Sequence, residues 1–236
     1  MTIFNEFSRL AQVAIRNPVN SFINDQKLSD EWQSLRFHSK PDLEKSINEF
    51  IEFKKLLDNT EIEIIELPSS DNLTIDSIYT RDSILISPKG LILCNMGRAS
   101  RTPEAKNNSE YLKSLGHEVA GEILAPGTLE GGDFIWLNNS QCAVGLGPRT
   151  NQEGISQLAE ILGKDIELHV VPLPSPSHPD DVLHLMSIIS PLDKDLAVIY
   201  RPFMPASFIE WLERLGMKFV EVHEEEYLLP DAAEYL

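Results

Sequence analysis

The sequence is poor in cysteine and lacks a long apolar run. Cys94 and Cys142 are its two cysteines, and each lies in an apolar stretch, so we expect buried core thiols rather than a disulfide. No stretch approaches the roughly eighteen uninterrupted apolar residues of a membrane span. Charged residues near the N-terminus, such as Glu6 and Asp25, exclude a signal peptide. These absences predict a cytoplasmic protein without a membrane partner.

Cationic residues are scarce as well. The chain has 20 lysines and arginines against 37 aspartates and glutamates, and its formal net charge is -17. Nucleic-acid binding depends on lysine and arginine neutralising phosphates, so this balance excludes nucleic acid as a partner. An acidic chain is compatible with a small cationic substrate, and equally with a surface that is acidic for solubility alone.

Apolar periodicity predicts a repeated α/β unit. A helix over residues 41–58 and a strand over 61–68 open the chain. The order strand, strand, helix, strand then occurs three times, over 76–124, 132–173 and 182–223. The first strand is predicted over 76–87 in the first unit and over 182–190 in the third, where a turn over 191–195 follows.

The spacing of three glycines supports the repeat. Gly116, Gly163 and Gly216 end the three predicted helices and lie about fifty residues apart, a period typical of a propeller-like array of ββαβ units. We therefore predict one domain over residues 1–236. Three units with an opening helix and strand do not close a ring, so we expect its C-terminal part to be missing or a partner to cover the gap. Unpaired strand edges would favour a homo-oligomer.

Four polar clusters interrupt or follow the apolar strands at similar places in the units. Residues at matching positions of a radial array converge on its axis, so these side chains are predicted to line one pocket. The clusters are Arg81 with Asp82, Glu130 with Asp133, Arg149 with Thr150 and Asn151, and His184.

This set of residue types fits a flat organic cation. Paired carboxylates such as Asp82 and Glu130 can accept two parallel hydrogen bonds from a guanidinium. If the ligand is also an amino acid, Arg101 and Arg149 are available for its carboxylate. A histidine near the reacting carbon, His184, could move protons between a leaving group and water.

Each of these assignments has a structural alternative. Asp82 beside Arg81 could form only a local surface ion pair. Thr150 and Asn151 make good helix N-caps, which need no catalytic role. A lone histidine in an apolar run, such as His184, is commonly a hydrogen-bonded core residue.

Five motifs, taken together, resemble the pentein superfamily of guanidino-group-modifying enzymes. That group includes arginine deiminases, amidinotransferases and dimethylarginine dimethylaminohydrolases, and the resemblance runs from about Phe4 to the C-terminus. RTNQ and LHL followed by S are most similar to the dimethylarginine hydrolases, whereas LEGGD identifies the superfamily only. The motifs are YTRDS at 79–83, ASRTPE at 99–104, LEGGD at 129–133, GPRTNQEG at 147–154 and LHLMS at 183–187.

The resemblance implies a five-bladed ring of ββαβ units and covalent catalysis without metal or cofactor. A cysteine thiolate attacks the guanidino carbon, an amine leaves with a proton from the histidine, and water then attacks the adduct. The implied catalytic residues are His184 and Glu130, of which Glu130 also contacts the guanidinium. The implied substrate-binding residues are Asp82 for the guanidinium, Arg101 and Arg149 for the carboxylate, and Asp133 for the floor of the site.

Two departures from the family pattern bear on function. Met186 occupies the position where deiminases and amidinotransferases tend to have aspartate. The family's nucleophilic cysteine lies in a glycine-rich C-terminal segment, which neither Cys94 nor Cys142 matches. We therefore expect a hydrolase for arginine or N-methylated arginine, releasing citrulline and an amine or ammonia, that is inactive in this 236-residue form. The alternatives are a non-catalytic guanidinium-binding or decayed paralogue, and an amidinotransferase or arginine dihydrolase.

Overall fold

The N-terminal part of the chain forms a small sheet covered by helices in the computed structural model, which describes residues 4–175 and 183–227. Strand β1 pairs in parallel with β2, in a register that aligns Gln12 with Glu63. The predicted opening helix and strand are confirmed as α3 and β2, whereas the four-residue β1 was too short for its pattern to be recognised. The elements are β1 (Gln12–Ile15), α1 (Pro18–Ser21), α2 (Asp25–Glu31), α3 (Leu43–Asp58) and β2 (Glu63–Glu66).

Three ββαβ units of the same topology follow. In each unit the second strand is central, antiparallel to the first strand and parallel to the third. The first unit is β3 (Ile84–Ser87), β4 (Gly90–Leu93), α4 (Pro103–Ser114) and β5 (Val119–Glu122); the second is β6 (Phe134–Asn138), β7 (Gln141–Leu146), α5 (Gln152–Leu162) and β8 (Glu167–Pro172); the third is β9 (Ile189–Asp193), β10 (Leu196–Ile199), α6 (Ala206–Arg214) and β11 (Lys218–Glu221), with the short helix α7 (Glu224–Tyr227) after it.

Local signals in the sequence account for the helix ends. Gly116, Gly163 and Gly216 follow α4, α5 and α6 with φ of 95°, 86° and 84°, the left-handed region that glycine adopts without a Cβ penalty. At the start of α5, the side chain of Asn151 accepts a hydrogen bond from the backbone N–H of Gly154 at 2.8 Å. The predicted helix ends and this N-cap are therefore confirmed.

Adjacent units share apolar cores. In β6, Phe134 and Trp136 join the cluster that packs the first unit on the second, and Ile135 and Leu137 join the cluster shared with the third. Side chains of a strand alternate between the two faces, so both faces of this strand are buried and its sequence is continuously apolar. The prediction of an α/β fold built from ββαβ units is confirmed.

Two predicted strands are shorter than the sequence indicated. In place of a strand over 76–87, two 3-10 turns (Ile75–Ile78 and Thr80–Ser83) come before β3. In place of a strand over 182–190, a 3-10 turn (Leu185–Ser187) comes before β9, and residue 182 lies outside the described residues. Hydrogen bonds that these turns make to distant segments override the local strand propensity.

The turn predicted over 191–195 is also wrong in part. Strand β9 continues to Asp193, and Pro191 pairs with Ala197 of β10. Proline is tolerated there because β9 lies at the edge of its three-stranded sheet. Over residues 4–175 and 183–227, no helix is both long enough and apolar enough to cross a membrane.

Candidate active site

Three 3-10 turns bring the predicted polar residues together. They are Thr80–Ser83, Gly131–Asp133 and Leu185–Ser187, and each precedes the first strand of its unit. The second turn contacts both the first and the third. Asp82 and Asp133 lie in the turns themselves, while Glu130 and His184 come directly before their turns. The repeat therefore carries side chains that are distant in sequence to one place.

Glu130 lies at the centre of this group and is fully buried. Its Oε2 lies 3.0 Å from Nε2 of His184. Its Oε1 accepts hydrogen bonds from the backbone N–H of Arg98 at 3.1 Å and from Nη1 of Arg149 at 3.3 Å. Burial by itself would raise the pKa of Glu130, but the hydrogen bond with His184 and the charge of Arg149 lower this pKa to about 2. Glu130 is therefore ionised at neutral pH.

His184 is the hydrogen-bond partner of Glu130 from the third unit. Burial alone would lower the pKa of His184, but the hydrogen bond with Glu130 and the charge of Asp133 raise this pKa above its ordinary value. The imidazole packs on Gly132, where an added Cβ would lie 2.5 Å from Nδ1. His184 therefore has a carboxylate partner and is not an isolated histidine of an apolar core.

Asp133 lies beneath the group and connects the second and third turns. Its Oδ2 accepts a hydrogen bond from Oγ1 of Thr150 at 2.6 Å, and its Oδ1 accepts one from the backbone N–H of Leu185 at 3.1 Å. Oγ1 of Thr150 in turn accepts a hydrogen bond from the backbone N–H of Glu130 at 3.2 Å. Burial raises the pKa of Asp133 to about 6, although the charge of His184 opposes that shift.

Asp82 reaches the group from the first turn. Its Oδ1 accepts a hydrogen bond from the backbone N–H of Gly132 at 3.0 Å, and its Oδ2 accepts one from Nη1 of Arg101 at 2.7 Å. Nη2 of Arg81 instead contacts Glu6 at 3.2 Å and the backbone carbonyl of residue 134. The alternative of a local ion pair between Arg81 and Asp82 is therefore wrong.

Arg101 is deeply buried and makes four hydrogen bonds within the protein. Besides Asp82, it contacts both carboxylate oxygens of Glu104 at 2.8 and 2.9 Å and the backbone carbonyl of Tyr79 at 2.9 Å. Burial would lower the pKa of Arg101, but contact with Glu104 and Asp82 raises it further above its ordinary value. Arg101 is thus an ion partner of Asp82, and its contact with a ligand carboxylate stays a prediction.

A cleft of about 340 Å³ opens on this group, enough for a small organic molecule. Asp82 and His184 reach its wall, while Glu130 is buried behind His184. Carboxylates beside a protonated imidazole can bind a flat cation and exchange a proton with it. The lining residues include Tyr79, Arg81, Asp82, Gly132, His184 and Met186.

Both thiols of the chain are buried away from solvent. Cys94 is 4% exposed and Cys142 is fully buried. Burial raises the pKa of Cys142 to about 12. Burial also raises the pKa of Cys94, and the negative charges of Asp82 and Glu130 raise it further. Neither cysteine therefore presents a thiolate to the cleft at neutral pH.

Sequence reasoning missed several members of this network. These are the buried acids Glu104 and Asp76, which pair with Arg101 and Arg98. Thr150 was not missed, since it belonged to a predicted polar cluster with a helix cap as the alternative. Glu104 follows Pro103 at the start of a helix, where an acid is ordinary. A single sequence therefore contained no signal that this carboxylate is buried.

The comparisons with known proteins agree with this architecture. A family model described as arginine deiminase matches residues 71–234. N(G),N(G)-dimethylarginine dimethylaminohydrolase of Pseudomonas aeruginosa is 27% identical over 188 residues, which are 79% of this chain and 69% of that protein. An uncharacterized protein of Aeropyrum pernix is 28% identical over 167 residues, and the match spans 66% of this chain but only 58% of that protein.

Solved structures share the fold. A mutant of the Pseudomonas aeruginosa enzyme complexed with citrulline superposes with a TM-score of 0.66 at 24% identity, over 93% of this chain and 94% of that chain. The substrate-bound N-terminal domain of ArgZ, a cyanobacterial arginine dihydrolase, superposes with a TM-score of 0.73 at 18% identity, over 91% and 76%. The family match covers well over half of the sequence, so the chain belongs to the arginine deiminase family, in the pentein superfamily of guanidino-group-modifying enzymes.

Proposed function

We propose that this chain binds the guanidino group of arginine or N-methylated arginine, and that it is the binding part of a hydrolase that releases citrulline and an amine or ammonia. One observation carries the proposal: ionised Glu130 and the carboxylate of Asp82, from two different units, lie beside the imidazole of His184 at one cleft. The names of the relatives, a dimethylarginine hydrolase and an arginine dihydrolase, support the same substrate class.

The role proposed for each residue of the site follows from the charge of its side chain. Asp82 at the cleft wall and Glu130 behind it balance the positive charge of the guanidinium. His184, whose raised pKa favours the imidazolium, donates a proton to the departing amine and accepts one from the water that attacks next. Arg149, which contacts Glu130, is the proposed partner of the ligand carboxylate, together with the remaining donor of Arg101.

The nucleophile is a separate question. In the proposed reaction a thiolate forms a bond to the guanidino carbon, the amine leaves with the proton of His184, and water releases citrulline and restores the thiol. Cys94 and Cys142 are buried with raised pKa values. We therefore propose that the 236-residue chain binds its ligand without turnover, and that hydrolysis needs a thiol from outside these residues.

The same observation favours a second candidate, a guanidinium-binding protein without catalysis. The two functions differ only in whether a reactive thiol ever reaches the cleft. Supplying a separately produced C-terminal segment of a homologous dimethylarginine hydrolase, with its cysteine, tests this. Citrulline formation by the mixture supports the hydrolase, and binding without any turnover supports the second candidate.

We also propose a cytoplasmic location for the chain, which its two free thiols support.

Calorimetry tests the binding function directly. Purified residues 1–236 are titrated with L-arginine and with N-methylated arginine, and L-lysine serves as a cation without a guanidinium. We expect saturable binding of the guanidino ligands, weaker binding of lysine, and at least tenfold loss of arginine affinity in Asp82→Asn. Absence of heat at millimolar arginine would remove the binding function. Citrulline formation by this chain alone would show that the nucleophile is misassigned.

A further inference from the structure

We infer that Glu104 is a positioning residue, which orients the carboxylate of Asp82 for the ligand through Arg101. The inference rests on the proposed function, because it concerns how the guanidinium-binding carboxylate is prepared. Glu104 lies in the first turn of α4 and does not line the cleft. Glu104 therefore affects the ligand without contacting it.

The contacts of Glu104 identify the residue through which it acts. Glu104 is 1% exposed, and its two carboxylate oxygens accept Nε and Nη2 of Arg101. No other side chain among residues 4–175 and 183–227 hydrogen-bonds to this carboxylate. Its place at the N-terminus of a helix favours the negative charge. A buried carboxylate with a single side-chain partner acts on that partner.

Arg101 transmits the orientation to Asp82. A guanidinium is planar and rigid, so an acid that binds its Nε and Nη2 edge also fixes the direction of Nη1. Nη1 of Arg101 lies 2.7 Å from Oδ2 of Asp82, and the backbone N–H of Gly132 fixes Oδ1 from the other side. Within residues 4–175 and 183–227, each oxygen of Asp82 accepts one hydrogen bond, from Arg101 or from Gly132, and retains acceptor capacity for a ligand.

Charge gives Glu104 a second effect. Arg101 alone beside Asp82 would neutralise the carboxylate and weaken its attraction for a cation. Burial raises the pKa of Glu104, and the hydrogen bonds and charge of Arg101 oppose that shift. With both carboxylates ionised, the three residues together carry one net negative charge. Asp82 therefore keeps a negative potential toward the cleft although it is ion-paired.

The substitution Glu104→Gln tests the inference because it removes the charge and retains the size. We expect arginine affinity, measured by calorimetry on residues 1–236, to fall at least tenfold, and affinity for the neutral ligand citrulline to change less. Glu110→Gln is the matched control, the same change at an exposed position of the same helix, and should bind arginine within twofold of the wild type.

A double-mutant cycle separates positioning from a merely structural role. If Glu104 acts through Asp82, Glu104→Gln should cost little further arginine affinity in an Asp82→Asn background. An equal loss in both backgrounds overturns the inference, as does wild-type affinity in Glu104→Gln. Glu104→Asp, which retains the charge but withdraws the carboxylate from Nε and Nη2 of Arg101, should also lose affinity and serves if Glu104→Gln does not fold. A wild type that fails to bind arginine overturns the proposed function, and the inference with it.

Discussion

Nε2 of His184 and Oε2 of Glu130 are 3.0 Å apart, although the two residues are separated by 54 positions and belong to different units. Each comes directly before the 3-10 turn that opens its unit. The contact is thus a consequence of the repeat, which brings one acid and one base to corresponding positions. It also pairs the two titratable groups on which the proposed chemistry depends.

The first prediction concerns this pair. In Glu130→Gln, the burial that lowers the pKa of His184 remains, as do the charges of Asp133 and Asp82 that raise it, but the raising effects of the carboxylate of Glu130 are lost. We expect the pKa of His184, followed by NMR of the imidazole ring, to be lower in the variant than in the wild type. His169, whose pKa is lowered chiefly by burial, provides an internal control and should titrate alike in both proteins.

The raised pKa of His184 determines whether the free energy of unfolding rises or falls with pH. The folded chain binds this proton more tightly than the unfolded chain, so the contribution is fully present below the unfolded pKa of about 6.5 and is lost as pH rises through the folded pKa. The wild type should therefore lose stability relative to Glu130→Gln over that range. Parallel pH profiles of the two proteins, measured by urea unfolding, would contradict this prediction.

A second prediction concerns Asp133, whose pKa is raised by burial from 3.8 to about 6. Between these values the folded chain retains a proton that the unfolded chain has released, so ionisation destabilises the fold as pH rises. Relative to Asp133→Asn, the wild type should lose about 2 kcal/mol of unfolding free energy between pH 4 and pH 7. The exposed substitution Asp165→Asn is the control, and a profile of Asp133→Asn parallel to the wild type would contradict the prediction.

The third prediction concerns Gly132, which lies against the side chains of both His184 and Asp82. A Cβ at this position would lie 2.5 Å from Nδ1 of His184 and 2.9 Å from Oδ1 of Asp82. Gly132→Ala must displace these side chains, so we expect arginine affinity to fall at least tenfold, about 1.4 kcal/mol. In the control Gly147→Ala the added Cβ meets only the side chain of Leu173 at 3.3 Å, and affinity should stay within threefold. Equal affinities in the two variants would be evidence against the cleft as the binding site.

A fourth prediction concerns the thiols. Because Cys94 and Cys142 are buried with raised pKa values, DTNB at pH 8 should label neither in the folded chain within minutes, and both after unfolding. The double substitution of both cysteines by alanine should leave arginine affinity unchanged when referred to the folded fraction. Rapid labelling of one native thiol, with loss of arginine binding, would identify that cysteine as part of the site.

Local patterns were sufficient where the deciding interactions are local. Gly116, Gly163 and Gly216 were recognised as helix ends because the left-handed backbone they adopt depends on the residue itself. The motifs around Asp82, Glu130 and His184 identified the family because their spacing follows the repeat. The predicted limits of the strands were wrong near the site, because turns there are stabilised by hydrogen bonds to other segments.

The sequence by itself therefore determined the repeated ββαβ unit and the family, and it predicted that Asp82, Glu130 and His184 lie close together. Only the tertiary structure decided how these residues are paired: that Arg101 bonds to Glu104 and Asp82, that Arg81 turns toward Glu6, and that Asp133 accepts hydrogen bonds from Thr150 and Leu185. The physical reason is that a buried charge takes whichever partner the packing of distant units brings within hydrogen-bonding distance, and this choice leaves no trace in the local sequence pattern.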